Sequence, residues 1–494
     1  MPVVLEQRIL PGRHVAGRDS SIGVSLGLAL LGVLAGSVVA VAGLNALYLC
    51  VALIGCAFIL RDFRVGVVLL ILLLPVSRSA MFPHAMLGIT GLNPFNLLLA
   101  GTLGSCLLHA LFDGSLRRFL PRPLLWLYIV PILVAGALGS RHIGDIAPGY
   151  YMYDMLEFDS AAGYLRDRVA KPLFMVIFAL LVGAAVAKSE KPEKFLIPTL
   201  LSVWVMGSMV VVFVLLSGVG LSRLADSEAR GTLSALGLHA NDLGRLYAVS
   251  YALLLFTWAE ARGSGFRLAL LASMGLVVAA LLLTFSRGAF FGFIVVNALF
   301  LLWRHNARTL TVAGLLAAVA LLLLPDVVYD RIATGFGSGL NAITAGRLEG
   351  LWLPLVPEIL RSPVYGNGIG SILWSDVMRL QGGAGIVIGA THPHNAYLET
   401  LLDMGLAGLI LLGAYFAHVW KGFRALSVDP DLSPSLRGFY LGAAAGLASF
   451  LVSGVTDSSL TPRPEQAFLW LAIGMMYGHG QRAKRPHREP EHGR

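Results

Sequence analysis

The chain runs repeatedly for 18 or more residues without a charged side chain, the length a helix needs to cross a hydrocarbon core. Inside such a core the backbone must pair its own N–H and C=O groups, which a helix does within one run. Only 13% of the 494 residues are charged against 56% hydrophobic, so the chain is predicted to be an integral, polytopic, all-α transmembrane helical bundle. Arg8, Arg13 and Arg18 precede an apolar block at 21–60 that has room for two spans, and no small-residue cleavage site lies before it. Retained anchor helices are expected there rather than a removed signal peptide. Cys50, Cys56 and Cys106 fall inside apolar runs, where a thiol acts as a small hydrophobe, so neither a disulfide framework nor a zinc site is expected.

About fourteen spans are expected, near 21–40, 43–60, 65–76, 94–112, 124–139, 170–187, 196–218, 244–261, 267–285, 288–303, 309–324, 399–420, 438–455 and 467–479. With the N-terminus in the cytoplasm, the inside-facing connections hold 23 of the 37 Lys and Arg. The positive-inside rule supports that orientation. It also accounts for the net charge of +9, so no nucleic-acid partner is expected. The longer loops then face outside, roughly 77–93, 140–169, 219–243 and 325–398. The second contains the acidic and aromatic "GDIAPGYYMYDMLEFDS"; the last is rich in Gly, and "GRLEGLWLPLVPEIL" at 346–360 has apolar residues at helical spacing. An amphipathic helix is expected there, at the membrane interface. The chain divides into an N-terminal segment 1–20, helices with short loops 21–324, the large outer loop 325–398, helices 399–479 and a basic tail 480–494.

Against the positive-inside rule, several arginines face outward. Arg287 in "LLLTFSRGAFFGF" sits between two apolar runs, Arg245 in "HANDLGRLY" starts another, Arg166, Arg168 and Lys171 cluster before a third, and Arg347 follows Gly346 in the large loop. Guanidinium forks gathered on one rim suit a diphosphate. Contact with lipid headgroups is the competing reading for each. No Asp, Glu or Lys falls in the middle of an expected span, which weighs against an ion-coupled pump or transporter.

The segment "ATHPHNAYLETLLDMG" at 390–405 brings His392 and His394 to either side of Pro393. Two histidines at i, i+2 supply only two metal ligands, and Asp376, Glu399 and Asp403 show no recognised ligand spacing with them. A helix start is the second reading, with Asn395 as the N-cap. The third is a histidine acting as general base on a hydroxyl near neutral pH. Tyr150, Tyr151, Tyr153 and Trp352 are candidates for stacking on sugars or, alternatively, for an interfacial aromatic belt.

The segments "HPHNAYLETLLDMGLAGLILL" (392–412), "GRLEGLWLPLVPEILRSPVYGNGIGS" (346–371) and "FSRGAF" (285–290) together resemble the O-antigen ligase and Wzy-type polymerase superfamily. That family carries in the same order a "G-R" arginine, a "P-x-x-G-x-G" turn and a "His-Asn" before an acidic, leucine-rich helix ending in Gly. The resemblance implies a bundle of about 12–14 spans of the GT-C class, with 325–398 as a large periplasmic catalytic loop. It implies an inverting, metal-independent glycosyltransferase of the bacterial inner membrane, without cofactor, that works on its outer face on undecaprenyl-diphosphate-linked glycan. His394 falls on the family's catalytic histidine, and Arg287 and Arg347 on its donor diphosphate-binding arginines; His392 has no counterpart. Arg245, Arg166, Arg168 and Lys171 stand as secondary candidates. The acceptor would be another lipid-linked repeat unit, as in a polymerase, or the lipid A core, as in a ligase. The large polar outer loops lean toward a polymerase for O-antigen or exopolysaccharide. A non-enzymatic flippase of lipid-linked oligosaccharide is the alternative of another class, and it would need polar residues through both leaflets.

Overall fold

Capping side chains and apolar runs together set where the helices of this protein begin. The computed structural model describes residues 33, 37, 45, 48–79, 82–86, 89–114, 119–152, 155–218, 231, 233–307, 310, 311, 314, 315, 318, 322, 326–333, 337–381, 390–456 and 459–483. In chain order its main helices are α1 (Tyr48–Arg61), α2 (Phe63–Leu73), α3 (Pro94–Phe112), α4 (Arg122–Asp145), α5 (Ala161–Lys188), α6 (Pro192–Ser217) and α7 (Ala240–Glu260). They continue with α8 (Ser264–Leu283), α9 (Arg287–Trp303), α10 (a π turn Leu348–Trp352 running into Leu353–Arg361), α11 (Ala396–Ser427), α12 (Pro434–Ser453) and α13 (Ala467–Ala483). Asn93, Ser286, Asn395 and Ser433 each accept a backbone N–H at the start of α3, α9, α11 and α12, satisfying donors that a helix start leaves open.

The protein is an all-α, multi-pass membrane protein. Among the described residues seven helices, α3, α4, α5, α6, α8, α11 and α12, are long and apolar enough to cross a membrane, while α1, α2 and α9 are apolar but shorter. The run expected at 65–76 is α2, with 11 residues. Those expected at 244–261 and 467–479 lie in α7 and α13. The runs at 21–40 and 309–324, the segment 1–20 and residues 484–494 of the tail lie wholly or largely outside the described residues, as does Tyr153. The strand pair Ala85–Met86 with Ile89–Thr90 is the only β-structure among the described residues.

Small residues bring the helices close. Gly438, Gly442 and Gly446 recur every four residues on α12 and meet the backbone of α7: a Cβ at Gly442 would stand 2.5 Å from the Ala252 carbonyl oxygen. Without side chains at those points the two backbones pack directly, as helices do when lipid gives no hydrophobic drive for association. The same device joins α13 to α5, where a Cβ at Gly474 would lie 2.2 Å from the Ala179 carbonyl oxygen. Between α4, α11 and α13 the rings of Tyr128, Tyr415 and Trp470 form a fully buried cluster, with Tyr128 4.7 Å from Tyr415 and 5.2 Å from Trp470 between centroids. The Tyr128 hydroxyl donates to the Leu460 carbonyl at 2.7 Å, so its burial leaves no polar group unpaired.

A second, smaller core covers one end of the bundle. It combines Ile146, Tyr150, Phe158 and Tyr164 with Leu351 and Leu355 of α10, Ile372, Leu373 and Met378, and Leu402 of α11. The two segments distinctive in the sequence, 140–169 and the end of 325–398, thus pack on each other. A helix forms there as expected: in α10 Leu351 and Leu355 are buried, whereas Leu353 and Leu360 stand 56% and 67% exposed.

Replacing Gly442 by Val should lower the melting temperature in detergent, by an overpacking cost of about 1–3 kcal/mol. Gly480→Ala, with nothing within 4 Å of the added Cβ, should leave it unchanged; differential scanning fluorimetry reads both.

Candidate active site

Left-handed backbone is costly for any residue with a Cβ, about 1–2 kcal/mol. Among the described residues it occurs at three non-glycine positions: Phe285 (φ 47°), Ala345 (φ 57°) and His394 (φ 55°). They lie in or directly beside the three motifs of the resemblance: Phe285 two residues before Arg287, Ala345 two before Arg347, and His394 itself. Strain of this kind persists only where neighbouring contacts over-determine it, and it gathers at functional sites.

Those contacts are visible at His394. The Trp352 indole N–H of α10 donates to the Pro393 carbonyl at 2.8 Å, holding the backbone on one side. On the other side the Asn395 side chain accepts from Tyr397 N at 3.0 Å and Leu398 N at 3.1 Å, and Ala396 N donates to the Gly454 carbonyl at 2.8 Å. His392 packs against His394 with ring centroids 4.0 Å apart. Its Nδ1 is 3.4 Å from the Thr391 hydroxyl.

The turn after α12, Ser453–Thr456, draws the three motifs together. Besides the bond from Ala396 to Gly454, the Ser453 hydroxyl donates to the carbonyl of Gly288, next to Arg287, at 3.2 Å. One arm of Arg347 donates to the Thr456 carbonyl at 2.8 Å. Gly288 and Thr456 are in such close approach that a Cβ on the glycine would stand 2.8 Å from the Thr456 hydroxyl. Arg287, Arg347 and the His394–Asn395 pair are therefore anchored to one four-residue turn. Nothing in the sequence singled that turn out, because two of its three contacts use backbone carbonyls.

The "P-x-x-G-x-G" turn has a different job. α11 breaks at Gly405 (φ 63°, ψ −168°), and the 363–368 loop fits into the break. Asn367 N and Gly368 N donate to the Leu402 and Asp403 carbonyls, while Leu406 N and Ala407 N donate to the Pro363 and Val364 carbonyls, all at 2.8–3.0 Å. A Cβ at Gly405 would lie 2.4 Å from the Val364 carbonyl, so the motif's final glycine is what lets the loop in. Just before the break, the buried Asp403 carboxylate accepts from Gly370 N at 2.9 Å, Ser371 N at 3.1 Å and the Ser371 hydroxyl at 2.8 Å.

The secondary candidates are placed differently. Arg245 is 5% exposed and forms an ion pair with Asp242, with Glu465 at 3.6 Å; it lies beneath the Arg287 turn, since Gly244 packs on Thr284, Ser286 and Ala289. Burial, then the neighbouring Asp242, raise the Glu465 carboxyl above its ordinary range, and Arg245 opposes them. Arg166 and Lys171 turn to Asp167, at 2.9 and 2.7 Å. Arg168 packs over the Phe158 ring and lies in the field of Glu399 and Asp403. Of the stacking candidates, Tyr151 is exposed and Trp352 is the clamp on Pro393. Tyr150 is not placed to stack on a ligand. It is buried, its hydroxyl donates to the Ala390 carbonyl at 2.8 Å, and burial pushes its pKa up to about 12.

Asp403→Ala would leave three buried donors without their acceptor, a cost of about 3 kcal/mol or more. The melting temperature should fall and protease should cut more readily within 363–371. Ser371→Ala, which removes one of the three bonds, should cost less by the same measurements.

Residues 271–413 match the family model described as O-Antigen ligase. No curated protein matches the chain. The matched segment begins within α8, contains Arg287, Arg347, His392 and His394, and ends within α11, whereas Ser453–Thr456 lies beyond it. The match over residues 271–413 is a likeness to the O-antigen ligase domain, and it supports kinship of this part of the chain with the O-antigen ligase/Wzy superfamily.

Proposed function

We propose that the protein is an inverting, metal-independent glycosyltransferase that moves a glycan from undecaprenyl diphosphate to an acceptor sugar hydroxyl, at the periplasmic face of the bacterial inner membrane. The observation that carries this reading is the convergence of three strained segments, those of Phe285, Ala345 and His394, on the Ser453–Thr456 turn. The segments that bear the His394 imidazole and the Arg287 and Arg347 guanidinium groups are thus tied to one small region of the fold.

In the reaction the His394 imidazole takes the proton of the acceptor hydroxyl as its oxygen attacks the anomeric carbon from the face opposite the diphosphate. The new C–O bond forms while the bond to the diphosphate oxygen breaks. The electron pair leaves with the lipid diphosphate, and the configuration at carbon inverts. Diphosphate is a good leaving group when its growing charge is met, and Arg287 and Arg347 meet it with fixed, always-charged donors. One arm of Arg347 donates to the Thr456 carbonyl, which helps to aim the fork. Arg245, paired with carboxylates, supports the turn that bears Arg287. Arg166, Arg168 and Lys171 flank the covering segments.

The acceptor we favour is a second lipid-linked repeat unit, as in a polymerase, because the outer segments 140–169 and 325–398 are large and polar enough to handle two glycan chains. Transfer to the lipid A core, as a ligase does, uses the same donor chemistry, and purified protein offered each acceptor in turn decides between them.

His394→Ala should abolish transfer of lipid-linked glycan, by about 10²-fold or more, in protein that remains folded; near-native transfer by that variant would refute the base role. Arg287→Lys and Arg347→Lys should each slow transfer about tenfold or more, since a charge-assisted bond worth about 1.5–3 kcal/mol is lost while the charge stays. Chelator should leave the wild-type rate unchanged.

A further inference from the structure

Beside the reacting cluster, under the same cover, lies a cleft of about 250 Å³ between the end of α4, the end of α10, the 371–379 segment and Leu402 of α11. It uses none of the residues assigned above to the reaction. Its walls carry two guanidinium groups, Arg361 and Arg379, and three carboxylates, Asp145, Glu358 and Asp376. Arg361 bridges Glu358 at 3.0 Å and Asp376, and Arg379 donates to the Asp145 carbonyl at 2.6 Å with the Asp145 carboxylate at 3.5 Å. Trp374 supplies a flat apolar wall, held by the His142 ring stacked on it at 5.4 Å and 18°.

Charge decides what such a cleft can hold. The guanidinium groups are balanced by carboxylates, so there is no surplus of positive charge for a phosphate, and the arginines disfavour a cation. A neutral polyol fits, because each hydroxyl donates to a carboxylate and accepts from a guanidinium at once. An aromatic wall beside a few fixed polar groups is also how small-molecule sites gain affinity and orientation together. Both α11 and α10 tie the cleft to the reacting cluster. Leu402 is seven residues from Asn395, about 10 Å along a helix. α10 carries Trp352, the clamp on Pro393, on one turn and Glu358 and Arg361 farther along.

We propose that this cleft is a saccharide subsite, holding a neutral part of the glycan about 10 Å along α11 from the His394–Asn395 pair; which glycan it holds rests on the glycosyl-transfer reading, whereas the presence of a sugar site does not. Such a subsite binds ground state and transition state alike, so its loss shows in KM rather than in kcat.

The test uses the full-length protein in detergent and, as probe, lipid-free oligosaccharide cleaved by mild acid from the producing cell's own lipid-linked glycan. Binding is read by saturation-transfer NMR and tryptophan fluorescence, and transfer by product analysis. Wild type and His394→Ala should bind the oligosaccharide equally, while Trp374→Ala and Asp376→Asn should bind it at least tenfold more weakly and raise the KM for glycan with little change in kcat. Asp376 is half-exposed and its replacement isosteric, so this variant keeps the test alive if Trp374→Ala fails to fold. Unchanged binding and KM in the folded cleft variants, with His394-dependent transfer intact, would overturn the subsite and leave the transferase reading standing. Trp374-dependent binding without transfer by any form would do the reverse. Displacement of the oligosaccharide by inorganic pyrophosphate would overturn the neutral-saccharide chemistry of the cleft.

Discussion

The hydrogen bonds of the Ser453–Thr456 turn are the contacts on which the site depends. Each helix start leaves N–H groups without partners, and at α11 the first of these, Ala396 N, is met by the Gly454 carbonyl rather than by water. The end of one helix thereby sets the start of another. The turn's own position comes from α12, which the Gly438, Gly442 and Gly446 row locks against α7. Loop-borne side chains thus inherit the precision of the packed bundle, the requirement for a site in which small displacements cost rate.

A second constraint acts on the backbone of the covering segment. Backbone N–H and C=O groups taken out of water need partners, and the 363–368 loop, exposed at Pro363–Tyr365 and buried at Gly366 and Gly368, finds them by docking against a broken helix. The break at Gly405 frees the Leu402 and Asp403 carbonyls and the Leu406 and Ala407 amides, and the loop pairs with all four. Two motifs that look independent in the sequence, "PVYGNG" and "LLDMG", are therefore the two halves of one joint. Asp403 extends it, holding Gly370 and Ser371 by a carboxylate that has no need to touch a substrate.

Much of this was legible beforehand. Charge-free runs disclose spans because lipid demands them, Asn395 discloses a helix start because its side chain completes the cap, and the spacing in 346–360 discloses α10. What stayed hidden was carried by groups without a sequence signature. The Gly454 and Thr456 carbonyls look like any others, and Glu465 lies 220 residues from Arg245, with which it pairs at 3.6 Å. Arg245 and Tyr150 read as exposed because their segments looked like loops and rims, yet one is sunk in an ion pair and the other holds Ala390. Burial of a polar residue depends on what packs over it, and that is set by distant parts of the chain.

The arginines show why position matters more than count at such a site. Several lie near it, and their charges alone do not separate them. Arg245 meets Asp242 and Glu465, and Arg463 meets Glu399 at 3.0 Å. Such pairs offset the cost of burying charge, and they return little field to a ligand outside. Arg347 donates one arm to a carbonyl, and Arg287 begins a helix whose capping residue, Ser286, is buried. A carbonyl that accepts from one arm fixes the direction of a guanidinium, and a helix start adds its own positive end. In the proposed reaction Arg287 and Arg347 are set apart from the other arginines by the turn that holds their segments, not by their charge.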